Sequence, residues 1–361
     1  MKQLKITTTM MLMVLLLPMS QAEARQKTRA RQQIATYAIG FYNLENLFDT
    51  CHDEGKNDYE FLPDGTYQWT TEKYTNKLRN ISRVLAELGT DTLSQVGCAV
   101  IGVAEVENDR CLTDLIAQPP LKKQGYRFVH IEGPDQRGID CALLYQPRLF
   151  QIRDTKLVPY RYLLPQDSLR ATRGFLVVSG TLAGEHVTVV VCHLPSRGAE
   201  SYYREEGGRQ LHALRDSLVA ADPEVKLLIM GDMNDDPQDV SMADCLGGRR
   251  QASDVAAGDM YNPFWEMLAK GTGTLMFQGA WNLFDQILVS PSLLTCQACG
   301  AGGKMCSATP KLRYNGCQVF RRDYLIQQDG QYAGSPLRTH GSGQWLNGYS
   351  DHLPTVVYLK K

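Results

Sequence analysis

Apolar runs in this chain repeatedly end in residues that can do acid, base or metal chemistry. "FYN" delivers Asn43 with Glu45 just beyond, "GVAEVEN" Glu105 and Glu107, "VVVCHL" His193, "IMGDMN" Asp232 and Asn234, and "YSDHLP" Asp351 and His352. Any one of these is ordinary turn chemistry, since Asp and Asn favour strand ends. Glu105 is different, because a carboxylate inside an apolar strand needs a partner or a metal to offset its desolvation. Strand ends on one edge of a sheet face a common crevice, so together they describe a site.

The chemistry of such a set is specific. Oxygen ligands without cysteine select Mg²⁺, Mn²⁺ or Ca²⁺ over zinc, and Mg²⁺ uses one or two carboxylates, with water and substrate phosphate completing its shell. Asn43, Glu45, Glu105 and Asp351 have the right atoms. A phosphoester repels hydroxide, so its site must neutralise charge with a metal and a protonated histidine. Asp232 is the candidate base for an attacking water, and Asn234 a neutral donor to a phosphoryl oxygen.

The elements that must position these residues are strands such as "YAIGFYN", "DCALLY", "FLVVSGTL", "VKLLIMGD", "FDQILVS" and "TVVYL", bounded by Gly, Pro, Asp or Asn. Helices are expected from Glu72 to Leu88 and from Arg209 to Ala220, and a hairpin at Ala183-Gly184. Many strands with few helices imply two packed sheets covered by helices.

The motifs "FYNLEN", "GVAEVEN", "CHLPSRG", "GDMND", "FDQILVS" and "YSDHLP", in this order, resemble those of the endonuclease/exonuclease/phosphatase superfamily from about Tyr37 to Leu359. The resemblance implies an α/β four-layer sandwich, with two mixed sheets face to face and helices on both outer sides, and metal-dependent hydrolysis at phosphorus. It also implies roles. Asn43, Glu45, Glu105 and Asp351 would hold the metal. His193, Asp232, Asn234 and His352 would act on the phosphate, Asp285 would orient His352, and Asp140 would do the same for His193. A carboxylate on one imidazole nitrogen favours the cation, so each His–Asp pair would clamp phosphate. Arg137 and Arg197 lie near these motifs and could add phosphate contacts.

Composition limits the partner. Of 361 residues 43% are hydrophobic, and 38 Lys and Arg nearly cancel 39 Asp and Glu, so no global basic field draws in nucleic acid. Lys2, Lys5, the run "MMLMVLLLP" and "AEA" read as a signal peptide over residues 1–24, with a basic leader over 25–36 and the mature domain over 37–361. Export to the periplasm or beyond, with no membrane span after processing, favours scavenging of nucleic acid, phospholipid headgroups or sugar phosphates. The expected activity is that of a phosphodiesterase or nuclease, with a sugar-phosphate phosphatase or sphingomyelinase-like enzyme as the alternative, in a monomer. A silent phospholigand-binding module is the contrasting class, disfavoured because the motif residues are all present. Cys98, Cys141 and Cys192 read as small core residues. Cys296, Cys299, Cys306 and Cys317 read as disulfides pinning an excursion over 295–348, or as a metal site. That excursion either rims the site or is a structural edge. "YNPFWEML" is either a membrane-docking hairpin or a buried helix start.

Overall fold

The computed structural model describes residues 35–91, 96–166, 168–294 and 311–361. The proposed signal peptide, most of the basic leader, and Cys296, Cys299 and Cys306 lie outside them. The strands are β1 (Thr36–Leu47), β2 (Cys98–Val106), β3 (Arg127–His130), β4 (Asp140–Tyr145), β5 (Phe150–Leu163), β6 (Leu169–Leu182), β7 (Glu185–His193), β8 (Lys226–Asp232), β9 (Gly248–Arg249), β10 (Met260–Tyr261), β11 (Leu275–Phe277), β12 (Ala280–Asn282), β13 (Asp285–Val289), β14 (Arg313–Val319), β15 (His340–Gly341), β16 (Gln344–Trp345) and β17 (Thr355–Lys360). The helices are α1 (Thr71–Glu87), α2 (Asp109–Ile116), α3 (Pro119–Gln124), α4 (Ser201–Ala221) and α5 (Trp265–Ala269).

Two mixed sheets carry the molecule, ordered β14-β17-β1-β2-β4-β3 and β5-β6-β7-β8-β13-β10-β9. Alternation along each strand decides the layering. In β1, Ile39 and Phe41 face the other sheet while Tyr42 faces α1; in β8, Leu228 and Met230 face inward while Leu227 and Ile229 pack toward α4. Three apolar layers result: Tyr42, Leu78, Ile81 and Leu112 in the first, Phe41, Val191 and Met230 between the sheets, and Val190, Ile229 and Leu211 in the third. Three interfaces require four layers, which is the α/β sandwich expected. The sheets meet closely at Gly102, where a Cβ would come within 2.6 Å of Met230 Sδ.

Helix α1 runs as the periodicity predicts, capped by the Thr70 hydroxyl, which accepts from Lys73 N at 3.4 Å. Helix α4 starts earlier than predicted. Its first turns, "SYYREEGG", lack apolar period and are held instead by Arg204, whose Nε lies 2.8 Å from Asp235 Oδ2. The hairpin turns at Ala183 and Gly184, both at positive φ. Strand β5 is a sheet edge whose mostly exposed, Pro159-containing sequence gave no strand pattern, as suits an edge. "YNPFWEML" is no exposed hairpin, because Phe264 is fully buried between the sheets and Met267 and Leu268 pack against that layer. Cys98, Cys141 and Cys192 are buried and unbridged, and Cys317 makes no disulfide with another described cysteine. Among the described residues no helix is long and apolar enough to cross a membrane.

Candidate active site

The site forms where strands of both sheets end. β7 and β8 pair in parallel with Cys192 opposite Gly231 and His193 opposite Asp232, and β13 places Asp285 opposite Asp232 on the other side. Gly231 is needed for this, since a Cβ there would fall 2.1 Å from Cys192 O. From the other sheet come Asn43 and Glu105. Glu105, Glu45, Asn46 and Asn234 all sit at positive φ, a conformation that costs non-glycine residues and clusters at functional sites.

Asn43 links the two halves. Its Nδ2 donates to Asp232 Oδ2 at 2.9 Å and to Glu105 Oε1 at 3.1 Å, while Asn46 N donates to Glu105 Oε2 at 2.8 Å. Asp232 Oδ1 accepts from Asn234 N at 3.0 Å, and Asn234 Nδ2 donates to Leu194 O at 2.9 Å. Burial, reinforced by Asp285 and Glu105, pushes the Asp232 carboxyl up to about 7, against the opposing pull of His352 and Asn43.

His352 Nδ1 lies 2.7 Å from Asp285 Oδ2, and its Nε2 is 3.7 Å from Asp232 Oδ2. Burial works against the His352 cation, yet Asp285, Asp232 and Asp351 lift its pKa well above the ordinary imidazole range. The contact expected of Asp285 is therefore present. Ser350, the serine of "YSDHLP" to which no role was assigned, joins the first and last motifs: its hydroxyl donates to Asn43 O at 2.7 Å and accepts from His352 N at 3.1 Å.

His193 departs from expectation. Its neighbour is Arg173, whose Nη1 lies 2.7 Å from Nδ1, and not Asp140. Asp140 accepts from Gly133 N at 3.0 Å and lies 3.5 Å from His130 Nε2. Burial, with Arg173 and Arg137 nearby, holds His193 well below the ordinary imidazole range, so it is a neutral ring and not a cationic clamp. Its Nε2 lies 3.1 Å from the same Arg173 Nη1 and 3.5 Å from Asp232 Oδ2. Arg173 carried no sequence signal, since it precedes the apolar run "FLVVSGTL" and shares its strand with Arg170.

The residues expected to hold a metal fall into two groups. Glu105, His193 and Asp232 bring ligand atoms within 4.8 Å of one another. Glu45 and Asp351 stand outside this group, bridged by Arg338, with Nε 3.5 Å from Glu45 Oε1 and Nη2 2.5 Å from Asp351 Oδ2. Glu45 also accepts from Thr339 N at 2.6 Å. The physical reason is charge: the guanidinium satisfies both carboxylates. Asn43 Oδ1, the atom a metal would need, accepts from Glu45 N at 2.9 Å. Because Arg338 and Thr339 arise from the 295–348 excursion, its described part does rim the site. Of the arginines named from sequence, Arg197 is held by Asp236 Oδ2 at 3.2 Å and Asp239 Oδ2 at 2.6 Å, while Arg137 lines the cleft.

A divalent ion fits this donor set. Glu105 makes no ion pair with a Lys or Arg among the described residues, Asp232 lies between it and Asp285, and Asp285 Oδ1 is buried and unbonded. Uncompensated acidic oxygens of this kind are what hard cations bind.

Residues 38–361 match the Endonuclease/Exonuclease/phosphatase family. The chain belongs to that family. Membership carries the reaction class with it, divalent-metal-dependent hydrolysis of phosphoester bonds. Solved structures of the family share the fold. The catalytic domain of human Nocturnin, with bound sulfate, is 14% identical at a TM-score of 0.53, over 90% of this chain and 94% of that one. A Bacteroides thetaiotaomicron mannosyl-6-phosphatase is 16% identical at 0.52, over 90% and 99%. A humanized D. rerio TDP2 is 14% identical at 0.52, over 90% and 99%. A comparison with curated proteins returned no match.

Proposed function

We propose that this family member is an exported, Mg²⁺-dependent phosphoester hydrolase in which Asp232 deprotonates the attacking water and His352 receives the charge on the phosphoryl group. The observation that carries the reading is the convergence of the Asp285-held His352 and the Glu105–Asn43 pair on the Asp232 carboxylate. Glu105 would hold the ion, which would supply Lewis-acid neutralisation of a phosphoryl oxygen.

The chain's own residues supply the rest. Asp285 fixes the proton on His352 Nδ1, leaving Nε2–H to donate to a phosphoryl oxygen as its charge grows. Asp232, pushed up to about 7, is matched to proton acceptance near neutrality. Asn43 holds Asp232 and Glu105 to one amide nitrogen, and Asn234 N keeps the Asp232 carboxylate in one rotamer. Neutral His193 offers a hydrogen bond without a charge.

Carboxylate donors favour Mg²⁺ or Mn²⁺, with Ca²⁺ as a weaker substitute. Export rests on the basic, apolar and small-residue order of residues 1–24. Hydrolysis of bis-p-nitrophenyl phosphate and p-nitrophenyl phosphate with Mg²⁺, Mn²⁺ or EDTA, comparing wild type with Asp232→Asn and His352→Ala, tests the mechanism. Metal-dependent turnover lost in both variants supports it; full activity in either refutes it. Fractionation of expressing cells tests export.

A further inference from the structure

Beyond His193, one flank of the cleft carries two guanidiniums that the steps above leave unused. Arg173 projects from β6 and is only 9% exposed. Its Nη1 rests 2.7 and 3.1 Å from the ring nitrogens of His193. Its Nε is buried without a hydrogen bond, 3.4 Å from Asp135 Oδ2, and its Nη2 bonds to no described residue. Arg137 is half-buried, and among the described residues its guanidinium makes no ion pair or hydrogen bond. Both line the same cleft of about 500 Å³ as His193, Asp232 and His352.

One carboxylate on this flank, Asp135, meets the backbone of Arg137 and the guanidinium of Arg173. Asp135 accepts from Arg137 N at 2.9 Å and from Thr172 Oγ1 at 3.1 Å, besides facing Arg173. The other arginines at the cleft are neutralised, Arg197 by Asp235, Asp236 and Asp239, and Arg338 by Glu45 and Asp351. Positive charge in excess is therefore confined to the Arg137–Arg173 flank. A buried guanidinium with unmade bonds is costly unless an anion completes it, and its planar fork matches phosphate oxygens.

We infer that Arg137 and Arg173 receive the third non-bridging oxygen of a terminal phosphate, so that the substrate is a phosphomonoester dianion and not an internal phosphodiester. This rests on the hydrolytic reading above. A terminal phosphoryl group presents three charged oxygens, and the cleft presents three sets of complementary groups: the Glu105 side, the His352–Asn234 side and the arginine flank. An internal diester has only two such oxygens. Its second ester arm would place a neutral alkoxy group against the guanidiniums and leave them unpaired, the situation in which polar sites discriminate most strongly. The phosphodiesterase expectation thus gives way to a monoesterase, with Arg173 and Arg137 as specificity-determining residues.

The test is calorimetric titration of the Mg²⁺-loaded protein at about pH 8, where inorganic phosphate is largely dianionic, with inorganic phosphate and with dimethyl phosphate. Wild type is expected to bind phosphate at least tenfold tighter than dimethyl phosphate, and Arg173→Met and Arg137→Met each to lower that ratio at least fivefold. Equal affinities in wild type, or a ratio unchanged in both variants, overturns the inference. Should burial of Asp135 without its partner prevent Arg173→Met from folding, Arg173→Lys keeps the charge without the fork and is expected to lower the ratio by a smaller factor, while half-buried Arg137→Met carries the same comparison. The ratio of kcat/KM for p-nitrophenyl phosphate over bis-p-nitrophenyl phosphate should fall in parallel. Persistent turnover in Asp232→Asn would sink the hydrolytic mechanism while leaving the phosphate preference as measured, so the two failures are separable.

Discussion

Replacing Asp285 by Asn isolates what the buried carboxylate does for His352. The side chain keeps its shape, and the amide oxygen still accepts from His352 Nδ1, so the ring stays in place. What is lost is the anion 2.7 Å from the imidazolium, with side chains only 6% and 0% exposed. Exchanging a charge-assisted for a neutral hydrogen bond removes about 1–2 kcal/mol, and a Coulomb attraction at about 4 Å in an effective dielectric of about 20 sets an upper bound near 4 kcal/mol. The expected loss in kcat/KM is thus roughly 5- to 1000-fold.

The same change predicts a shift in pH dependence. Asp285, with Asp232 and Asp351, holds the His352 pKa above its ordinary value despite burial, so activity that needs the cation persists to alkaline pH. In Asp285→Asn that pKa falls, and the alkaline limb of kcat/KM should move to lower pH by about one unit or more. Stability follows the same sign: a raised folded-state pKa stabilises fully below the unfolded value of about 6.5, and this contribution fades as pH rises through the folded value. The difference in stability between wild type and variant should therefore be largest below about pH 6.5. A pH–rate series with thermal melts measures both, and an unmoved alkaline limb together with less than threefold loss would refute the reasoning.

Metal-free Asp232→Asn should be more stable than wild type, because burial raises this carboxyl to about 7 and ionisation is thus opposed in the fold. Its advantage should grow as pH rises from about 4 to about 7, and melts in EDTA showing the reverse slope would count against it. Mg²⁺ should raise the wild-type melting temperature, by about 2.7 kcal/mol of added stability at a hundredfold excess over Kd, and Glu105→Gln should abolish that response. Gly231→Ala should cost about 1–3 kcal/mol in urea unfolding, because the new methyl meets Cys192 O at 2.1 Å, and should also depress activity by spreading His193 from Asp232. Trp69→Ala should cost about 3–5 kcal/mol, since the indole is fully buried and donates to Phe48 O at 2.9 Å; a stability change under 1 kcal/mol would contradict the packing described.

Local order in the chain determined a good deal of this protein. Alternating apolar residues made the strands, and the polar residue closing each of them marked the edge where Asn43, Glu105, His193, Asp232 and His352 gather. Period and turn chemistry are short-range properties, so α1 and the Ala183-Gly184 hairpin were legible from the residues themselves. Where local signal was absent the elements stayed hidden: β5 alternates little apolar against polar, and the start of α4 is held by Arg204 instead of an apolar stripe.

Only the tertiary structure decided how charge is shared among these residues. The motifs name Glu45 and Asp351 as metal ligands, yet Arg338, nearly three hundred residues after Glu45 in the chain, bridges both. Likewise His193 meets Arg173 and not Asp140, because β7 pairs with β6 in one sheet while Asp140 opens β4 in the other. Electrostatic partners are chosen by distance across packed sheets, and no residue's type or neighbours in the chain reveal that distance. The donors are set by the sequence, but whether each is a cation, a neutral ring or a spent counter-ion is set by burial and by what the fold brings against it.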